Sequence, residues 1–352
     1  MSLSRAVRSS AHEREILSRD AEILKLRNKL NRAAIQNKEL HKQVDAERDL
    51  AQVRMALESH KHRERVVRQL TRTKGEATAV LVCNDWHVGA VVDPDTVNGL
   101  NEYNCEIAIR RVDRVFEKMN RWMEDERKRA KIDTIIIGLL GDFIDGSIHQ
   151  ETKETNEITP IEQTLLAFDM IADGIAHVIK HSQPKTLVVP CCCGNHGRTT
   201  HKKQIHNYAK TSHEWGMYKR LAKHFQQRSN GRTDVQFVLT QSYHNIIPVY
   251  GYPIRFHHGD FFKSLGGDGG PATAINRRIG KWNRIERIKS SLDVFGHLHQ
   301  EIMEKRWVLC PSVLGMDPYA MSQGYDDADI GQEFILLTPK RCKAKAETLY
   351  AE

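Results

Sequence analysis

Glycine and proline are missing from residues 1–74 of this chain; the first glycine is Gly75 and the first proline Pro94. A stretch without either residue excludes the tight turns a compact unit needs, and its content of good helix formers predicts a long helix from residue 11 to about 70. No run of about 18 apolar residues occurs, which excludes a membrane-spanning helix. The opening Met1-Ser-Leu-Ser-Arg5 lacks the apolar block of a secretory signal. Cysteine is sparse, with seven residues in no regular spacing. An odd, irregular set argues against a disulfide framework and for a reducing compartment, so a cytoplasmic protein is expected. Internal repeats and low-complexity segments are absent as well.

What is present is divided unevenly. The 352 residues are enough for roughly two domains. The net charge of +8 belongs wholly to the start, because residues 1–75 hold 18 Lys and Arg against 10 Asp and Glu. That segment is the first place to expect a polyanionic or acidic partner; a solvated basic helix face is the plain alternative. Ile16, Ile23, Leu30, Asn37 and Val44 recur every seven residues, with Leu26, Ala33 and Leu40 between them. This is a coiled-coil seam of roughly four heptads, with Asn37 placed to fix register. The shift to Leu50, Val53 and Leu57 reads as a stutter. A seam this narrow favours self-association over folding back on its own domain, and Lys61–Lys74 forms a basic connector.

From Thr78 the character changes to alternating strand and helix, the mark of an α/β domain. Strands are expected at 79–83, 134–140, 186–192, 235–240, 246–250, 253–256, 292–295, 306–310 and 334–338. Helices are expected around Ile109–Met123, from Pro160 through Val178, and from Pro271 through Ile288. A polar loop covers 146–159.

Five short polar clusters stand just after apolar strands: Asp85-Trp-His87, Gly141-Asp142-Phe-Ile-Asp145, Gly194-Asn195-His196, His258-Gly259 and Gly296-His297-Leu-His299. Each alone is weak. Together they are hard to attribute to accident, and ligands at the ends of parallel strands sit where α/β sheets collect them. Period-2 geometry turns Asp85 and His87 to one side of an extended segment, and likewise His297 and His299. Carboxylate, carboxamide and imidazole without thiolate suit Mn, Fe or Zn. A pair of such ions about 3.5–4 Å apart clamps the attacking and leaving oxygens of a phosphoryl transfer, and Asp142 has the central place between them. Cys191-Cys192-Cys193 offers a rival metal reading, but adjacent residues of a strand point to opposite sides, so buried small side chains are the better account.

The order D-x-H, G-D-x-x-D, G-N-H, H-G and G-H-x-H resembles the calcineurin-like metallophosphoesterases, over about residues 78–340. The resemblance implies a four-layer α/β/β/α sandwich of two mixed sheets, here preceded by the coiled-coil helix, with domains at 1–75 and 76–345. It also implies one metal held by Asp85, His87, Asp142 and His299, and a second held by Asp142, Asn195, His258 and His297. His196 would contact the phosphate and protonate the leaving oxygen. Of the pair His257 and His258, the second precedes glycine as the family pattern requires, so His257 should face away.

Departures from the family narrow the substrate. Protein Ser/Thr phosphatases follow G-D-x-x-D with Arg and follow G-N-H with an acid; this chain has Gly146 and Gly197. The family's DNA-repair nucleases carry His where Asp145 stands. The form G-N-H-G-R is similar to nuclease-like members found in bacteriophage genomes. Arg198, His201, Lys202 and Lys203 are placed to meet a phosphate backbone. The loop Gly266–Gly270, through the backbone N–H groups of Gly267 and Gly269, offers an anion site or simply a tight turn. Arg277, Arg278, Lys281, Arg284 and Arg287 follow on a helix and contact phosphate or form a solvated face. The expectation is a two-metal phosphodiesterase, a DNA or other nucleic-acid nuclease with manganese as first choice of metal. A phosphomonoesterase or small-nucleotide phosphodiesterase is the enzymatic alternative. A coiled-coil assembly protein with a relic phosphoesterase domain is the non-enzymatic one.

Overall fold

Each buried strand of this protein sends alternate side chains into different apolar layers. The computed structural model describes residues 75–227, 231–262, 270–325 and 329–352. The heptad seam, the basic connector, Gly267 and Gly269 lie outside these residues. In strand β1 (Glu76–Cys83), Ala79, Leu81 and Cys83 enter one core while Val80 and Val82 enter another. Strand β2 (Lys131–Leu139) divides in the same way, with Ile135 and Ile137 on one side and Ile136 on the other. A strand covered on both faces has no polar side to show, which is why these segments read as unbroken apolar runs.

The first core lies between a sheet and three helices: α1 (Cys105–Arg127), α3 (Pro160–Ser182) and α4 (His213–Gln227). A short helix α2 (Gln150–Thr155) stands in the expected polar loop. Asn104 caps α1 by accepting the Ile107 N–H, and Thr159 with Glu162 forms a capping box ahead of Pro160. The sheet has six strands in the order β11-β10-β1-β2-β3-β4, built from β3 (Thr186–Cys191), β4 (Asp234–Leu239), β10 (Gly331–Leu337) and β11 (Lys343–Tyr350) beside β1 and β2. Strands β1 to β4 run parallel, and β10 is antiparallel to both β1 and β11.

The second sheet has five strands in the order β5-β6-β7-β9-β8. These are β5 (Asn245–Val249), β6 (Tyr252–Phe256), β7 (Leu292–Phe295), β8 (Ile302–Met303) and β9 (Trp307–Leu309). Here β6, β7 and β9 are parallel, flanked by antiparallel β5 and β8. Ile254, Phe256, Val294 and Val308 pack against the first sheet, while Phe295, Trp307 and Leu309 pack outward under α5 (Gly270–Ile285). Helix α6 (Pro318–Gln323) precedes β10. The result is the expected four-layer sandwich of two mixed sheets.

Several details differ from the sequence reading. Helix α4 and strand β11 were not expected, and β11 carries the fold on to Tyr350, past the boundary read at 345. Ile109, Leu165, Ile285 and Ile288, apolar residues within the expected helices, are exposed, with Ile285 beyond four-fifths. Helix α5 ends at Ile285, so Ile288 has no helical face to share. All seven cysteines are unpaired. Cys191 and Cys193 enter the core beneath the helices and Cys192 enters the layer between sheets, as opposite pleats require. No helix among the described residues is long and apolar enough to cross a membrane.

Candidate metal centre

The five clusters follow β1, β2, β3, β6 and β7, and the loops that carry them meet at one edge of the sandwich. The chain bends sharply at each. Asp85, His87, Asp142, His297 and His299 all hold φ between 47 and 73°, the left-handed region that ordinary side chains avoid. Such a conformation costs about 1–2 kcal/mol per residue and persists only where surrounding contacts fix it. Those contacts are visible: Asp85 N–H donates to Gly141 O at 3.0 Å, and His87 N–H to Asp142 O at 3.0 Å. Gly194 permits the closest approach. A Cβ there would lie 2.2 Å from the backbone nitrogen of Asp142.

Asp85, His87 and His299 place ligand atoms within 4.8 Å of one another. Asp85 Oδ2 accepts the His297 N–H at 2.6 Å, while its Oδ1 has no hydrogen-bond partner among the described residues and lies 3.6 Å from His299 Nε2. His87 Nδ1 sits 2.9 Å from Asp145 Oδ1, and its Nε2 is buried with no partner among the described residues. Buried polar atoms are normally satisfied, so two orphans facing a common point ask for a cation. A carboxylate on the far nitrogen of an imidazole is the usual support of a histidine that binds metal through the near one.

Asp142, His258 and His297 form a second such group within 4.8 Å. His258 Nδ1 donates to Leu140 O at 2.9 Å, which turns its Nε2 toward Asp142 Oδ2 at 2.9 Å and Asn195 Oδ1 at 3.1 Å. Every sequence-read ligand is therefore brought to one place, with Asp142 adjoining both groups. The donor set of carboxylates, imidazoles and one amide fits borderline divalent ions.

The charges are arranged to hold cations. Burial alone would raise Asp142, yet the His258 and His196 rings beside it hold its carboxyl well below the usual carboxylate range. Asp85 is likewise brought to about 2 against burial by His299 and His258. Burial works against a charged His87, but Asp145, Asp142 and Asp85 raise it to about 9. His258 is raised to about 10 by Asp142 in the same way. His297 falls to about 4 through burial and the neighbouring His258.

His196 is turned differently. Its Nδ1 donates to the Asp145 carbonyl at 2.8 Å, and its backbone N–H to Asp142 Oδ1 at 2.7 Å. The ring packs edge-on to His87, with centroids 4.5 Å apart. Asp145, which the sequence offered only as a departure from known branches, thus orients two imidazoles. Burial lowers the His196 ring, opposed by the charges of Asp142 and Asp145.

The residues read as substrate contacts fare unequally. Lys202 and His201 are exposed. Arg198 is folded onto its own loop, donating to the carbonyls of Asn195, Thr200 and His201. Lys203 is paired with Asp260, which also accepts from Tyr208 at 2.9 Å. Arg277, Lys281, Arg284 and Arg287 are exposed on the outer layer, and Arg278 is half-buried. His257 faces away, stacked on Phe295 with centroids 4.8 Å apart.

Two acids with buried side chains beside the centre escaped the sequence reading. Asp260 is one. Glu214, in the first turn of α4, is the other, and its carboxylate accepts the N–H groups of Phe143 and Gly194, each at 2.7 Å. Burial raises its carboxyl to about 7, with the charge of Asp142 adding to the effect and the two N–H donors opposing it. The only signal in the sequence was an acid just ahead of the amphipathic run Trp215, Tyr218, Leu221 and Phe225.

Residues 78–329 match the family model described as calcineurin-like phosphoesterase. Among solved structures the chain is similar to zinc-complexed Vps29 of Entamoeba histolytica, at 13% identity over 77% of this chain and 99% of that one, TM-score 0.30. It is similar to Vps29 of Chaetomium thermophilum at 10% identity over 77% and 95%, TM-score 0.27. The sulfate thiohydrolase SoxB of Thermus thermophilus, in complex with glycerol, shares 9% identity over 80% and 58%, TM-score 0.32. No curated protein matches the chain.

Proposed function

Because the chain belongs to the calcineurin-like phosphoesterase family, we propose that it hydrolyses phosphodiester bonds with two divalent ions, manganese before iron or zinc, and that its substrate is nucleic acid. The observation that carries the two-ion reading is the pair of largely buried groups Asp85–His87–His299 and Asp142–His258–His297. Asp85, His87, Asp142 and His299 would hold one ion, and Asp142, Asn195, His258 and His297 the other. Bound there, the ions supply Lewis-acid stabilisation of charge on the phosphoryl and leaving oxygens.

The chain's own residues supply the rest. His87 and His258 are each fixed in one ring orientation, by Asp145 and by the Leu140 carbonyl. His196 has Nδ1 committed to a carbonyl, so Nε2 is the atom that carries a proton to the leaving oxygen. An approaching phosphate adds negative charge and raises the ring's affinity for that proton. Gly146, where protein phosphatases carry Arg, and the exposed Lys202 support a polymeric phosphodiester over a phosphoprotein.

The test compares bis-p-nitrophenyl phosphate with the p-nitrophenyl monoester in Mn, then single- and double-stranded oligonucleotides, with Asp142→Ala as control. Diester and oligonucleotide cleavage that disappears in the variant is expected. Marked preference for the monoester overturns the nuclease reading, and activity unchanged by Asp142→Ala overturns the metal reading.

A further inference from the structure

Glu214 is completely buried, and its two carboxylate oxygens go to different loops. Oε1 accepts the N–H of Phe143 at 2.7 Å, and Oε2 that of Gly194 at 2.7 Å. Phe143 directly follows Asp142, and Gly194 directly precedes Asn195. One side chain thus joins the loop of the shared carboxylate to the loop of the amide ligand and the proton donor. Hydrogen bonds from N–H to an ionised acceptor are short and about twice as strong as neutral ones.

Gly197 shows how the side chain reaches this place. Its backbone is outside the left-handed region, so the missing side chain serves space and not conformation. A Cβ there would lie 2.8 Å from Glu214 Cγ, 3.0 Å from its Cδ and 2.9 Å from Ser212 Oγ. The space a side chain at 197 would take is filled instead by the Glu214 carboxylate arm reaching in from α4.

We propose that Glu214 is a positioning residue of the metal centre: it sets the separation of the Asp142 and Asn195 loops from outside the ligand set, through the gap that Gly197 leaves. It acts through Phe143 and Gly194 and touches neither ion nor substrate. The inference rests on the two-ion reading above.

The test measures Mn affinity of the metal-free full-length protein by calorimetry, with far-UV circular dichroism and the unfolding midpoint recorded for each variant. Glu214→Gln keeps the shape but offers only one acceptor oxygen. It is expected to weaken Mn binding about 10–100-fold, the usual cost of losing an outer support of a metal ligand. Leu221→Ala, equally buried on the same helix, is the stability control: its midpoint falls while its Mn affinity stays with the wild type. The relocated pair Glu214→Ala with Gly197→Glu is expected to recover at least tenfold of what Glu214→Ala loses. Mn binding within twofold of wild type in Glu214→Gln overturns the proposal, as does an equal loss in Leu221→Ala. Should Glu214→Gln fail to fold, Gly197→Ala keeps the carboxylate and displaces it; weakened Mn binding there supports the proposal and unchanged binding overturns it. A wild-type protein that binds no Mn overturns the two-ion reading itself, which is a separate outcome.

Discussion

His196 keeps its backbone and its ring on different tasks. The N–H holds Asp142 Oδ1, while ring Nδ1 is tied to the Asp145 carbonyl. His196→Ala therefore preserves the contact that orients Asp142 and removes only the ring. Turnover of bis-p-nitrophenyl phosphate is expected to fall about 10²–10⁴-fold, the scale of a lost general acid. Mn content, measured by metal analysis after gel filtration, should stay near the wild-type value. Loss of metal in this variant would show that the ring is a ligand and not a proton donor. At this scale the sequence was most informative where a residue's role is fixed by its own type and immediate neighbours. Asp85, His87, Asp142 and His258 were legible because five such clusters each follow an apolar strand, although any one of them alone says little. Glu214, Asp260 and the double duty of Asp145 were not, because each is defined by a partner far along the chain.

Strands with both faces covered announced themselves, since Ala79–Cys83, Ile135–Leu139 and Leu187–Cys191 carry no polar residue on either pleat before the ligand loop. Strand β11 did not. It is a half-exposed edge with Lys343 and Lys345, the kind of charged margin that discourages pairing with another chain, and its polar alternation resembles a loop. Strand β10 beside it carries Glu333, buried in the sheet, with one oxygen accepting from Thr348 at 2.7 Å and the other unpartnered among the described residues. Burial raises its carboxyl to about 8, with Glu301 and Glu347 adding to the effect. The folded chain therefore holds this proton more tightly than the unfolded chain, whose carboxyl titrates near the ordinary 4.5. Its contribution is fully present below that value and is lost as pH rises toward about 8, by about 1.4 kcal/mol per pH unit within the window. Glu333→Gln should remove this slope. Urea unfolding between pH 5 and 9 is expected to show the variant gaining on the wild type as pH rises, and parallel curves would contradict it.

Four layers follow from how apolar residues are shared out: a core under three helices, a second between the sheets, and a third beneath α5. The alternation of strand and helix made an α/β fold readable, and the division into two mixed sheets came with the resemblance and not from the pattern itself. The basic N-terminal segment belongs to this scale because its charge is separable from the neutral remainder. Deleting residues 1–70 is expected to lower the oligomeric state and weaken polyanion binding while sparing hydrolysis of bis-p-nitrophenyl phosphate. Sedimentation equilibrium and a heparin retention profile check both halves, and an unchanged particle mass would show that the heptad seam does not self-associate.

The proposed ligands come from both sheets: Asp85, His87, Asp142 and Asn195 follow strands of the six-stranded sheet, and His258, His297 and His299 follow strands of the five-stranded one. Apolar contact between the sheets resists separation but is non-directional, so it offers little against sliding. Coordinate bonds drawn from both sides would pin that motion at one edge, as a rivet does between two plates. The ions would then be fasteners as well as reagents. Scarcity of metal in the surroundings would shorten the lifetime of the molecule against proteases along with its output of product.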